Sequence, residues 1–81
     1  MDSERIEQLL RESFPDAEIT VSSDDNVHFS AKVVDAGFDG LNRVARHRRI
    51  HAAIGPALGR EIHALTMDLS TPAEAAGRET S

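Results

Sequence analysis

The sequence predicts an α+β fold, a three-stranded mixed sheet with helices on one face, and three observations carry that expectation. Two runs of period-two alternation flank the polar stretch Ser23-Asp24-Asp25-Asn26, which makes them a hairpin. A third alternating run spans Glu61 to Leu69. Between the second and third runs lies a helix-length segment. As sheet neighbours, those two strands are joined by a crossover, run parallel, and take the right-handed connection.

Each element has its own signature. Ser3 is placed to cap a first helix, with Glu4 and Glu7 in the first turn, where negative charge suits the helix dipole. Ile6, Leu9, Leu10 and Phe14 follow helical spacing, and Pro15-Asp16 ends the element. Ile19 and Val21 then alternate with Glu18, Thr20 and Ser22, a strand with one wet face. Val27, Phe29, Ala31 and Val33 alternate with His28, Ser30 and Lys32, which puts His28 at the start of the second strand on its polar face.

Asp35 to Gly40 forms a loop. Its Gly37-Phe38-Asp39-Gly40 spells the GxxG of KH-type nucleic-acid loops, in which backbone amides clamp phosphates, but an aspartate in the middle repels them. Gly40 and Phe38 are therefore expected to be structural, the glycine for φ > 0 and the ring as a core plug. The helical pattern that follows runs to Leu58, with Gly55-Pro56 kinking or splitting it near its end. On a helical wheel Val44, His47, Ile50, His51, Ile54 and Leu58 fall within about a third of the circumference. Arg46, Arg48 and Arg49 lie beside or opposite that stripe. His47 is thus expected to be structural, its ring hydrogen-bonded in or near the core, while Arg46 and Arg48 stay exposed.

The third strand carries His63, Leu65, Met67 and Leu69 on one face. Ser70-Thr71-Pro72-Ala73-Glu74 starts a last short helix. Residues 1–76 form one domain and residues 77–81 a flexible tail. The apolar sheet face is Ile19, Val21, Phe29, Ala31, Val33, Leu65 and Met67, lying beneath Leu9, Leu10, Val44 and Ile54.

Composition narrows the function classes. Eighty-one residues bury only about 60–65% of the unfolded surface, too little for a deep enzymatic cleft with its own lid. The absence of cysteine excludes disulfides, thiolate metal sites and thiol catalysis by this chain alone. Iron or zinc would need histidine, carboxylate or a partner's sulfur. A net charge of −5 argues against bulk attraction to nucleic acid or anionic membrane. The basic residues are nonetheless clustered, five of nine falling between Phe38 and Leu65 with three of the four histidines. Without Trp or Tyr, base-stacking platforms are poorly supplied. No apolar run approaches membrane-spanning length and the N-terminus has no apolar signal region, so a soluble cytoplasmic protein is expected.

Two histidines carry the chemistry. His28 and His63 both lie at the beginnings of their strands, and parallel neighbours about 5 Å apart bring those beginnings to one sheet edge. Alternation nominally points the rings to opposite faces, although a residue leaving a turn can swing. Two imidazoles with no protein thiolate nearby form a candidate half-site for a metal. His47 and His51, at i, i+4, lack the intervening Glu base and the third ligand of a zinc hydrolase.

The run Phe38-Asp39-Gly40, then Arg46-His47-Arg48, Ile62-His63-Ala64-Leu65 and Thr71-Pro72-Ala73-Glu74, together with His28-Phe29, resembles the BolA-like proteins, in their short-loop bacterial form. The likeness runs from the first helix to Glu74. It implies an αββααβα arrangement, a variant of the type II KH fold. It also implies a protein without enzymatic turnover that joins a monothiol glutaredoxin in holding a 2Fe–2S cluster, in iron–sulfur trafficking or in iron or redox regulation. By the same resemblance His63 is a cluster ligand, and the second ligand comes from the loop region between the first two strands, where His28 qualifies. The chemistry is coherent: histidine can replace cysteine on one iron, and a partner's cysteine and glutathione would supply the thiolates.

Some BolA-like proteins are described as DNA-binding transcriptional regulators, which gives the competing reading. Arg43, Arg46, Arg48, Arg49 and Lys32 would then form the partner or nucleic-acid surface. DNA and a second copy of the chain stand as further candidate partners.

Overall fold

The computed structural model describes residues 2–57 and 64–79, and the elements follow the expected order. Helix α1 (Ser3–Ser13) is followed by strands β1 (Glu18–Ser22) and β2 (His28–Val34), a 3-10 turn at Ala36–Phe38, and helix α2 (Arg43–Ile54). A second 3-10 turn, Gly55–Ala57, precedes β3 (Ala64–Ser70) and α3 (Pro72–Glu79). Counting the Ala36–Phe38 turn as a helix gives αββααβα.

The sheet has the order β1-β2-β3. β1 and β2 pair antiparallel with Ile19 opposite Val33 and Val21 opposite Ala31. β2 and β3 pair parallel, placing Phe29 opposite Leu65 and Ala31 opposite Met67. The sheet is therefore mixed. The register puts the apolar residues of all three strands on one face, because alternate residues of a strand point to opposite sides. Above that face pack Ile6, Leu10 and Phe14 of the α1 segment and Ile50 and Ile54 of α2, with Phe38 fully buried among them. Phe38 meets the Phe14 ring at a centroid separation of 5.6 Å in a tilted arrangement. The other face is wet: Glu18, Thr20, Ser22, Ser30, Lys32, Thr66 and Asp68 are all exposed.

Several expectations are corrected by one residue or one turn. Asp2, not Ser3, caps α1, its carboxylate accepting from the Arg5 amide at 2.9 Å. Val27 lies outside β2 and is 44% exposed, because the Asp25 carboxylate holds its amide in the turn. α2 is capped by Asn42, which accepts from the Ala45 amide, and ends at Gly55 with φ 72°, so it stops before Pro56. The 3-10 turn after it ends at Ala57, and Leu58 lies outside the described residues. The same is true of Glu61 to His63, the expected start of the third strand. β3 runs one residue further than expected, to Ser70. α3 continues through Gly77, where the tail was expected to begin, to Glu79.

The larger correction concerns the rotation of α2. Val44 is 57% exposed and His51 is exposed, although both fall in the apolar stripe of the sequence. With Ile50 and Ile54 buried, 100° steps put Val44 about 120° from Ile50 but Arg46 only about 40° away. Arg46 takes the inward slot, and its contacts explain how a charged residue can.

Candidate functional site

Arg46 is a tie between elements. Its Nε donates to the Leu41 carbonyl at 3.0 Å and Nη1 to the Leu69 carbonyl at 3.2 Å. The two Nη groups donate to the two carboxylate oxygens of Glu74 at 2.7 and 3.1 Å. The guanidinium carbon also stands 5.8 Å from the centroid of the Phe38 ring. The Glu74 hydrogen bond raises the Arg46 pKa above its ordinary value, against a smaller opposing effect of desolvation. Glu74 is itself half of a capping box, accepting from the Thr71 amide at 3.0 Å while its own amide donates to Thr71 Oγ1 at 3.2 Å. The expectation that Arg46 stays exposed for a partner is thus corrected: its side chain is 14% exposed and five N–H donors are largely committed inside the protein.

The other basic residues do not form one surface. Arg49 donates to the Gly37 carbonyl at 3.2 Å. Arg43 and Arg48 are exposed along α2. Lys32 alternates with the buried Ala31 and Val33, so it stands on the wet sheet face, opposite Thr20 and Asp68 and away from α2. His47 is half-buried and lines, with Leu41 and Met67, an open cleft of about 940 Å³. Among the described residues its ring has no hydrogen-bond partner, where one in or near the core was expected.

The GxxG loop is built for packing. Gly40 has φ 78°, a left-handed conformation that favours glycine. Gly37 has no such angle; a Cβ there would meet Asp35 Oδ2 at 3.0 Å and Arg49 Nη1 at 3.2 Å. Both are the far ends of flexible side chains, so a larger residue there would need only a small shift of its neighbours.

At the opposite end of β2 the hairpin turn is organised by one carboxylate. Asp25 Oδ1 accepts from the amides of Val27 and His28, each at 2.9 Å. Asp25 Oδ2 is 2.9 Å from His28 Nδ1. Ser23 Oγ donates to the His28 carbonyl at 2.6 Å and accepts from the Asn26 amide at 2.9 Å. Asn26 completes the turn with φ 57°. The His28 ring contact, followed by the two amide hydrogen bonds, holds the Asp25 carboxyl well below the usual carboxylate range. By its sequence Asp25 is only a turn residue. Its signal was present in the spacing, since Asp three residues before a histidine across a turn can reach both backbone and ring.

His28 is opposite Ala64 in the parallel register, and Ala64 follows His63 in the chain. The described beginnings of β2 and β3 therefore lie side by side at one end of the sheet. His63 itself lies outside the described residues. His28 is 73% exposed in its side chain. No group of three metal-ligating side chains occurs among the described residues. Among them, too, no helix is long and apolar enough to cross a membrane.

Comparison with known proteins gives a consistent result. Residues 6–74 match the family model described as BolA-like protein. The chain is 37% identical over 57 residues to the chloroplastic protein BOLA1 of Arabidopsis thaliana, covering 70% of this chain and 36% of that protein, so it spans about a third of that relative's length. It is 30% identical over 78 residues to the DNA-binding transcriptional regulator BolA of Haemophilus influenzae, covering 85% of this chain and 76% of the relative. The solved structure of a bolA protein homologue from Coxiella burnetii superposes with a TM-score of 0.80 at 27% identity, covering 94% of this chain and 97% of that one.

Proposed function

The chain belongs to the BolA-like family, and from that premise we propose that it shares a 2Fe–2S cluster with a monothiol glutaredoxin, in iron–sulfur trafficking or iron regulation. His63 and His28 supply this chain's ligands, and the glutaredoxin cysteine and glutathione supply the thiolates.

The observation that supports this reading most directly is the placement of His28. It stands exposed at the start of the central strand, opposite the residue that follows His63, with one ring nitrogen engaged by a carboxylate. Metal-bound imidazoles characteristically use one nitrogen for the metal and donate the other to a carboxylate or carbonyl. The donor chemistry fits a cluster that needs sulfur from elsewhere, because this chain has imidazole to offer and no thiol. When bound, the cluster supplies a transferable iron–sulfur unit whose potential is raised where imidazole replaces thiolate. The chain's own residues bind and orient, and no turnover is assigned to it.

Mixing the protein with a monothiol glutaredoxin, iron, sulfide and glutathione, and recording visible circular dichroism, tests the reading. His63→Ala is expected to abolish the spectrum of the mixed complex while the apo-protein stays folded, and His28→Ala to weaken it. His51→Ala, an exposed change on α2, is expected to have no effect. An unchanged spectrum with His63→Ala would remove the reading.

The name of the Haemophilus relative favours a second reading, DNA binding. Its support in the geometry is narrower: Lys32 is on the far face, and Arg46 and Arg49 have internal partners. Several phosphate contacts would give a steep loss of affinity with salt, so a flat salt dependence would dismiss this reading.

A further inference from the structure

Asp25 uses its two oxygens for different purposes. Oδ1 accepts the amides of Val27 and His28 and so holds the turn. Oδ2 faces His28 Nδ1 at 2.9 Å and makes no contribution to the backbone. A carboxylate can only accept, so the ring nitrogen opposite it must carry the hydrogen. In a neutral imidazole the other nitrogen, Nε2, is then left with the lone pair. Isolated neutral imidazole side chains favour the reverse tautomer, with the hydrogen on Nε2, which leaves the lone pair on Nδ1 and not on Nε2. The His28 backbone is held as well: its amide donates to Asp25 Oδ1, and its carbonyl accepts from Ser23 Oγ at 2.6 Å. Backbone and ring are thus fixed by the same three-residue segment.

We propose that Asp25 is the positioning residue of this end of the sheet. It selects the Nδ1–H tautomer of His28 and so presents Nε2 as a metal-binding nitrogen. The proposal rests on the cluster reading above for its purpose, but the tautomer is a property of the apo-protein and is decided without metal. It is distinct from a purely structural role, because the turn needs Oδ1 and the tautomer needs Oδ2.

That separation makes Asp25→Asn a sharp test. The two backbone amides need an acceptor, so the Asn oxygen must take the Oδ1 place. The NH₂ group then faces His28 Nδ1 as a donor. Nδ1 must accept, and the hydrogen moves to Nε2. The turn is kept and the tautomer is inverted.

Long-range proton–nitrogen NMR spectra of the imidazoles, taken where the rings are neutral, read this directly. The expected result is Nδ1–H for His28 in the wild type and Nε2–H in Asp25→Asn, with the Val27 and His28 amide resonances keeping their turn-like dispersion. In the glutaredoxin, iron, sulfide and glutathione mixture, Asp25→Asn is expected to weaken cluster retention about tenfold or more, the usual scale for losing a partner of a metal-bound histidine. Nε2–H in the wild type would overturn the proposal whatever the cluster does. So would a switched tautomer in Asp25→Asn with cluster retention equal to wild type, when His28→Ala weakens it. If His63→Ala keeps the full cluster spectrum, the cluster reading fails and takes the metal role of Asp25 with it. That failure is recognisable apart, because the apo-protein tautomers are unchanged by it.

Discussion

Arg46 and Glu74, 28 residues apart in sequence, meet as a forked ion pair with contacts of 2.7 and 3.1 Å. The pair joins α2 to the first turn of α3, and the same guanidinium reaches the end of β3 through the Leu69 carbonyl. One side chain therefore ties three elements at the rim of the core, over the Phe38 ring. Lysine could keep the charge but not the planar fork.

Arg46→Ala is expected to destabilise the fold by about 1–3 kcal/mol, because it strips carbonyl and carboxylate partners together. Arg46→Lys should fall between wild type and Ala. Urea midpoints at constant slope would measure both. An Arg46→Ala variant within about 0.5 kcal/mol of wild type would show the tie to be ornamental.

The rotation of α2 predicts opposite fates for two apolar residues. Val44→Ala, at a 57% exposed position, should change stability by less than about 0.5 kcal/mol. Phe38→Ala, at a fully buried one, should cost about 3–5 kcal/mol. Thermal or urea unfolding of the two variants side by side checks this, and a large loss at Val44 would restore the stripe that the sequence suggested.

Ser70 is fully buried, and its hydroxyl has no hydrogen-bond partner among the described residues. Its backbone carbonyl does work, accepting from the Asp35 amide at 2.9 Å. Ser70→Ala keeps that bond and removes the unsatisfied group, so it should be neutral or stabilising by up to about 1 kcal/mol. A clear destabilisation would mean that the hydroxyl has a partner in solution.

The Asp25 carboxyl should titrate below its ordinary value of 3.8, owing first to the His28 ring contact and then to the amides of His28 and Val27. A depressed carboxyl contributes stability that is complete above its unfolded value and is lost as pH falls through its folded value. The turn is therefore expected to persist through the range where free aspartates protonate and to loosen only in stronger acid. Carbon-detected NMR titration of the side chain measures the midpoint. A midpoint at or above 3.8 would contradict the geometry.

What the sequence determined by itself was the set of local periods. Alternation in 18–22 and 28–34 assigned the buried and wet faces of β1 and β2 correctly, since a strand's side chains have no other choice once one face is covered. The helix-length segment before β3 made the β2–β3 pairing parallel, and Thr71 with Glu74 announced the capping box. Tertiary structure decided what a period leaves open. The 3.6-residue repeat allows α2 several rotations, and its phase was set by Glu74, Leu69 and Phe38, partners a helical wheel cannot see. Pairing across the sheet likewise put Lys32 on the far side from the arginines. At the candidate site, the sequence could offer His28 as a ligand type, but only the folded turn showed Asp25 against its ring. Residue type fixes which atoms can donate or accept; which of them face each other depends on where distant parts of the chain come to rest.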